Sequence, residues 1–265
     1  MISFAHIVNP VKANKNSDLF IAQPITFETM RIAKEFCKDD VSVELFSAQY
    51  KDDLDRVPAW LSPTPDLDRS VLDFGSFVIK RKLPLLKDIL ERLYQNSTGQ
   101  YLIYTNVDIS LQPNFYRALA EIIERGYDAF MVNRRTIPDL YSKTSELPLM
   151  FKEKGNRHPG LDCFVFRREL FPSFYLGTSC IGAVHIGLIV ALNCTAHAKQ
   201  FRIFQDLHLT FHIGDGRVWK KTPNYSLHNR EILVQLYTQL KQRGLAGRIH
   251  QLIGNAIDLP ALGLR

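Results

Sequence analysis

The chain has 265 residues, of which 46% are hydrophobic and 23% charged. That is ample material for a sizeable core and excludes disordered, collagenous and mini-protein classes. A balance of 33 Lys and Arg against 27 Asp and Glu gives +6, a moderate excess that favours an anionic partner without making a dedicated nucleic-acid surface.

Basic residues cluster briefly at Lys80-Arg81-Lys82, Arg134-Arg135 and Lys220-Lys221. The cysteines Cys37, Cys163, Cys180 and Cys194 show no CxxC spacing, so a reducing, cytoplasmic compartment is the expectation. Met1 to Val8 lacks the basic n-region and long apolar h-region of a signal peptide and runs into Asn9-Pro10, which predicts a first strand.

Ile25 to Lys38 has helical periodicity with Thr26 as a plausible N-cap, and Val41 to Phe46 alternates as a second strand; together these make a β-α-β start. Tyr50 to Gly75 interleaves aspartates with Pro58, Pro63 and Pro65, the character of a functional loop and not of a core element. Pro84 suits the first residue of a helix through Leu93 and Tyr94. The continuous run Tyr101 to Thr105 suits a central parallel strand covered on both faces. Phe115 to Arg125 reads as an amphipathic helix stopped by Gly126, and Asp128 to Val132 as the next strand. After a polar stretch from Asn133 to His158 come the strand Cys163 to Phe166, an apolar helix over 181–198, a strand region from Phe201 to Gly214 and a helix from Glu231 to Arg243. The 181–198 segment approaches membrane-span length, but its histidines and Asn193 favour a buried core helix. No linker or composition shift divides the series, which predicts one α/β layered domain over 1–265 with a largely parallel sheet.

Ligands of open parallel sheets bind beyond the carboxyl ends of the strands. Neither GxxxxGK[ST] nor a GxGxxG after the first strand is present, which weakens P-loop and dinucleotide readings. Asp108 follows the central strand, two residues beyond Asn106, where one carboxylate plus substrate diphosphate oxygens could anchor a hard divalent cation. A local turn, or a cap for the helix beyond Pro113, is the alternative for the same residue. In Leu207 to Ile213 every even position is polar, so a strand there would put His208, Thr210 and His212 on one face, and imidazole is an acceptable Mn²⁺ ligand. Asp162, beside the apolar Cys163 to Phe166, would be partly desolvated and pushed toward general-base duty if no cation lies close. Asp206 is the reserve candidate.

The strand ending in Asn106-Val107-Asp108 resembles the metal-binding Asp-X-Asp signature of GT-A type glycosyltransferases, the nucleotide-diphospho-sugar transferases. The order of parts is similar too: a β-α-β half, a central acidic motif, a later acidic turn and a late histidine. The resemblance implies a Rossmann-like GT-A fold, an α/β domain with a mostly parallel sheet flanked by helices. It implies Asp108 as ligand of Mn²⁺ or Mg²⁺ bridging the donor diphosphate, and His212, with His208 as alternate, completing the metal shell. Asn106 stands where Asp is common and leaves a ribose or sugar contact to an amide. Asp162 would be the base, while Asn9 and Pro10 would face the nucleotide base.

Arg81, Lys82, Arg134 and Arg135 could stabilise the leaving group. The expected function is metal-dependent transfer from a nucleotide-diphospho-sugar to the hydroxyl of a glycan, lipid or small-molecule acceptor, with no nucleic-acid partner and no transmembrane segment. A sugar-phosphate nucleotidyltransferase and a non-catalytic nucleotide- or glycan-binding relative are the alternatives.

Overall fold

A computed structural model describes residues 1–215, 223–254 and 257–264. Its strands, in chain order, are β1 (Ser3–Val8), β2 (Ser42–Ser47), β3 (Ser62–Pro63), β4 (Tyr101–Thr105), β5 (Ser110–Leu111), β6 (Ala129–Ile137), β7 (Asn156–Arg167), β8 (Phe201–Phe204) and β9 (Thr210–Ile213). Helices α1 (Asp18–Phe36), α2 (Leu86–Asn96), α3 (Phe115–Glu124), α4 (Leu147–Met150), α5 (Ile186–His197), α6 (Pro223–Gln242) and α7 (Ala246–Ile253) surround one mixed sheet. Its strands run in the order β3-β2-β1-β4-β7-β6-β9-β5, with β8 also paired to β6. The first four are mutually parallel, β7 is antiparallel to both β4 and β6, and β6 is parallel to β8 and β9.

The continuous apolar runs have a simple cause. Along β4, Leu102 and Tyr104 join a core made with α2, α5, α6 and α7, whereas Tyr101 and Ile103 join a second core made with α1 and α3. The same alternation divides Met131 from Phe130 on β6 and Phe164 from Val165 on β7. Both faces are covered, so neither parity can be polar. The reading of 181–198 as a buried helix holds for α5, whose Ile189 to Leu192 are fully buried. The helix starts only at Ile186 because Gly182 and His185 take left-handed φ values of 77° and 79°. Among the described residues no helix is long and apolar enough to cross a membrane.

Three local expectations need correction. The first helix begins at Asp18 with Ser17 as N-cap, its Oγ accepting from the Leu19 N–H, and it runs through Pro24. Pro24 gives up one backbone bond, and the burial of Ala22, Ile25 and Phe27 holds the helix through it. Thr26 is a core hydroxyl beside Ser110 Oγ at 3.3 Å and caps nothing. The loop from Tyr50 onward contributes Leu61, Leu67 and Val71 to the interior. Its two residues Ser62 and Pro63 extend the sheet edge on β2. Within the polar stretch from Asn133 to His158 the chain forms the C-terminal half of β6, α4 and the start of β7.

His6 on β1 is fully buried, with Nδ1 at 2.9 Å from the Tyr116 hydroxyl and Nε2 at 2.9 Å from Thr105 Oγ1. Burial pushes its pKa down from 6.5 to about 3. As pH falls from 6.5 toward 3, the unfolded chain binds a proton that the folded chain refuses. Stability from this group is therefore intact above 6.5 and lost on acidification, at about 1.4 kcal/mol per pH unit. Urea unfolding at pH 7 and pH 5 should show His6→Gln losing about 2 kcal/mol less than the unsubstituted chain over that interval. Equal losses would assign the acid sensitivity elsewhere.

Candidate active site

Sheet register assembles the site at the carboxyl ends of β1 and β4. The pairing Ile7↔Tyr104 puts Asn9 level with Asn106, and the antiparallel pairing Thr105↔Cys163 puts Asn106 level with Asp162 on β7. The buried Tyr104 hydroxyl donates to Asn106 Oδ1 at 3.0 Å, and Asn106 Nδ2 donates to Asp162 Oδ1 at 3.3 Å. That geometry gives a reason for Asn at this position. An aspartate at 106 would set two carboxylates at this separation with no proton between them.

Arg134 reaches the same carboxylate from β6, its Nη1 donating to Asp162 Oδ2 at 2.8 Å. Register shifts between Val132 and Asn133 and between Asn133 and Arg135 interrupt the β6–β7 ladder here. Such bulges re-aim one side chain toward a site. Arg134 Nη2 also lies 3.4 Å from His158 Nε2 and 4.0 Å from Asp215 Oδ1. His158 Nδ1 accepts from the Gly160 N–H at 2.9 Å. A Cβ on Gly160 would come within 2.5 Å of Asp162 Oδ2 and 2.7 Å of His158 Nδ1, so this turn has no room for a side chain. Burial and the Arg134 charge lower the His158 pKa from its ordinary value. The premise for Asp162 as a desolvated base, that no cation lies close, is not met: Arg134 is that cation.

Asp108 and His212 meet across the site, with Asp108 Oδ2 3.3 Å from His212 Nε2. The imidazole's other nitrogen, Nδ1, donates to the Gly214 carbonyl at 2.7 Å, which leaves Nε2 aimed at the carboxylate. Burial works to raise the Asp108 pKa, but the hydrogen bond and charge of His212 and the charge of Arg134 outweigh it and bring it below the usual carboxylate value. Burial likewise works to lower His212, and the Asp108 carboxylate outweighs it and raises the imidazole. Asp108 Oδ1 is buried with no partner in the protein. Among the described residues no group of three or more His, Cys, Asp or Glu side chains is arranged to hold a metal ion by itself. The protein donor set for a divalent ion is therefore one carboxylate with a spare oxygen and one imidazole, whose Nε2 would have to give up any proton to bind the ion. That set fits Mn²⁺ or Mg²⁺ if a diphosphate supplies further oxygens.

The other candidates separate. Asn9 is 2% exposed, its Nδ2 donates to the Ala48 carbonyl at 2.5 Å, and its Oδ1 has no partner. Pro10 is buried beside it. Lys82 Nζ lies 3.9 Å above the Tyr50 ring, just past the end of β2, while the Arg81 N–H donates to the Tyr225 hydroxyl at 2.7 Å. His208 does not share a strand face with His212, because its φ of 50° breaks the run and β9 begins at Thr210. Its Nε2 meets Gln112 Nε2 at 3.2 Å. The Asp206 carboxylate is held by Arg135 and Arg157. Arg135 also donates to the Lys154 carbonyl and, at 2.8 Å, to that of Gly155, and so clamps a turn. Sequence reasoning missed Tyr104 and His158 as members of the network. The signal for Tyr104 was its position two residues before Asn106, on the same side of the strand.

No family model matches the sequence, and no curated protein is similar to it in sequence. Solved structures do match by fold. S. aureus TarS in complex with UDP-GlcNAc superposes with a TM-score of 0.52 at 10% identity, covering 92% of this chain and 75% of that one. Glucosyl-3-phosphoglycerate synthase from Mycobacterium tuberculosis, in complex with phosphoglyceric acid, superposes with a TM-score of 0.50 at 14% identity, over 88% of this chain and 80% of that one. With its mixed sheet and flanking helices, the chain has the fold of the GT-A type nucleotide-diphospho-sugar transferases.

Proposed function

We propose that the protein is a glycosyltransferase that moves a sugar from a nucleotide-diphospho-sugar to an acceptor hydroxyl, with Mn²⁺ or Mg²⁺ held by Asp108 and His212. The observation that carries this reading is the Asp108–His212 pair at the strand ends, with one Asp108 oxygen buried and unsatisfied. TarS was solved with UDP-GlcNAc, which supports a donor of the same chemical class. A divalent ion at this pair would neutralise negative charge that builds on the departing diphosphate.

The remaining roles belong to side chains. Asn9 Oδ1 accepts an N–H of the nucleobase, with Pro10 as the wall beside it and Lys82 above Tyr50 on the same side. Asp162 would serve as base by position and not by desolvation: it has lone pairs beyond those taken by Asn106 and Arg134, and it orients the acceptor hydroxyl and takes its proton. Direct displacement of this kind inverts the anomeric centre. Arg134 is a positioning residue: it fixes Asp162 and adds positive charge near Asp108. Asn106 is the second positioning residue, anchored by Tyr104. The nucleotidyltransferase alternative needs an open Gly-rich loop after β1. Here Val11 is tied through both N–H and carbonyl to Gln23 at 2.9 Å, and the Lys12 N–H donates to Asp53 Oδ1 at 2.7 Å, so that loop is closed on itself.

Thermal unfolding tests the reading. UDP or GDP at about a hundredfold over its Kd should raise Tm by about 5–10 °C in the presence of Mn²⁺ or Mg²⁺, and by much less when the metal is chelated. A flat response to each nucleotide under both conditions would sink the proposal.

A further inference from the structure

The turn between Val71 and Leu83 leaves apolar side chains in water. Phe74 is 42% exposed, Val78 90% and Ile79 56%, and Lys80, Arg81 and Lys82 follow directly. The turn is pinned from beneath. Phe77 stacks on the buried Tyr225 ring with centroids 4.3 Å apart. The Tyr225 hydroxyl donates to the Ile79 carbonyl at 2.6 Å and accepts from the Arg81 N–H at 2.7 Å. Backbone held on both sides of Lys80 keeps Val78 and Ile79 pointing away from the core. Among the described residues none of the three basic side chains enters a salt bridge. The neighbouring acid, Asp73, is engaged by the Ser70 N–H at 2.6 Å.

We propose that this turn docks the protein on an anionic phospholipid bilayer, with Val78 and Ile79 entering the headgroup region and Lys80 and Arg81 facing lipid phosphates. Two arguments select a bilayer. Three protruding side chains supply far less than the roughly 800 Å² per partner of a stable protein interface, whereas a bilayer accepts protruding apolar groups of any shape. The consecutive cations Lys80 and Arg81 beside them match the negative potential of an anionic leaflet. This placement does not depend on the catalytic reading.

Co-sedimentation of the full chain with vesicles tests it, using phosphatidylcholine alone and phosphatidylcholine with about 30% phosphatidylglycerol. Binding is expected only to the anionic vesicles and is released by about 0.5 M NaCl. Lys80→Gln should weaken partitioning about fivefold. Val78→Asp with Ile79→Asp should weaken it at least about tenfold while leaving Tm unchanged. Absence of the chain from both pellets, or equal binding by the doubly substituted variant, would overturn the proposal. So would self-association that the same variant abolishes without any vesicle binding, because it would assign the patch to a second copy of the chain.

Discussion

Asp108→Asn is expected to cut sugar transfer by about 10³-fold and to erase the metal-dependent Tm rise with nucleotide, while leaving the Tm of the ligand-free protein within a few degrees. The two outcomes separate because the carboxylate does different things in the two states. Without ligand, Asp108 is half-buried, one oxygen is unsatisfied, and its partner His212 retains a bond to the Gly214 carbonyl. Loss of one charge there costs the fold little beyond a partly screened ion pair. In the loaded site as proposed, the same carboxylate would be one of two protein donors to the cation, and loss of about 4 kcal/mol of charge stabilisation in the transition state corresponds to that factor. A variant that binds nucleotide and metal normally and still transfers sugar would remove Asp108 from the mechanism. Collapse of the ligand-free fold would instead make it structural.

Asp162→Asn should lower kcat by about 10²–10⁴-fold, the usual range for loss of a general base, and should leave the metal-dependent nucleotide Tm shift intact. The contrast with Asp108 is the informative part, since both carboxylates lie near Arg134 and only one is assigned to the donor. The amide would still accept from Arg134 but could no longer take a proton. A loss of nucleotide binding equal to that of Asp108→Asn would place Asp162 on the donor side. An unchanged kcat would end its role as base and would direct attention to retention of configuration.

Much of the fold was legible because burial on two faces leaves a continuous apolar run. Tyr101 to Thr105, Ala129 to Val132 and Cys163 to Phe166 all stand where the runs predicted strands. Strand direction was not legible. Hydrophobicity is the same read either way, so nothing in Cys163 to Phe166 announced that β7 is antiparallel to its neighbours. Asp108 could be read from its place after a buried strand. His212 could be read from the alternation after Leu207, but the same pattern overreached to His208, because a single positive φ ends a strand without altering polarity. The Arg134–Asp162 ion pair depends on irregular β6–β7 pairing, and a bulge leaves no mark in composition. The start of α1 was hidden by Pro24, a breaker by propensity that packing overrides.

Strand β7 has a further consequence for how this chain can change. Its last residues, Cys163 to Phe166, are fully buried, and Asp162 stands immediately before them. Successive side chains in a strand point to opposite faces, so an insertion or deletion of one residue between Asp162 and Phe166 would exchange the two parities at once. The carboxylate would turn into the interior while a core side chain turned toward the reactants. Length variation in this region is therefore tolerable only upstream, in the connection over 138–155, where added residues leave the phase of the strand untouched. Natural variants and designed libraries alike should show gaps there and none between Asp162 and Phe166.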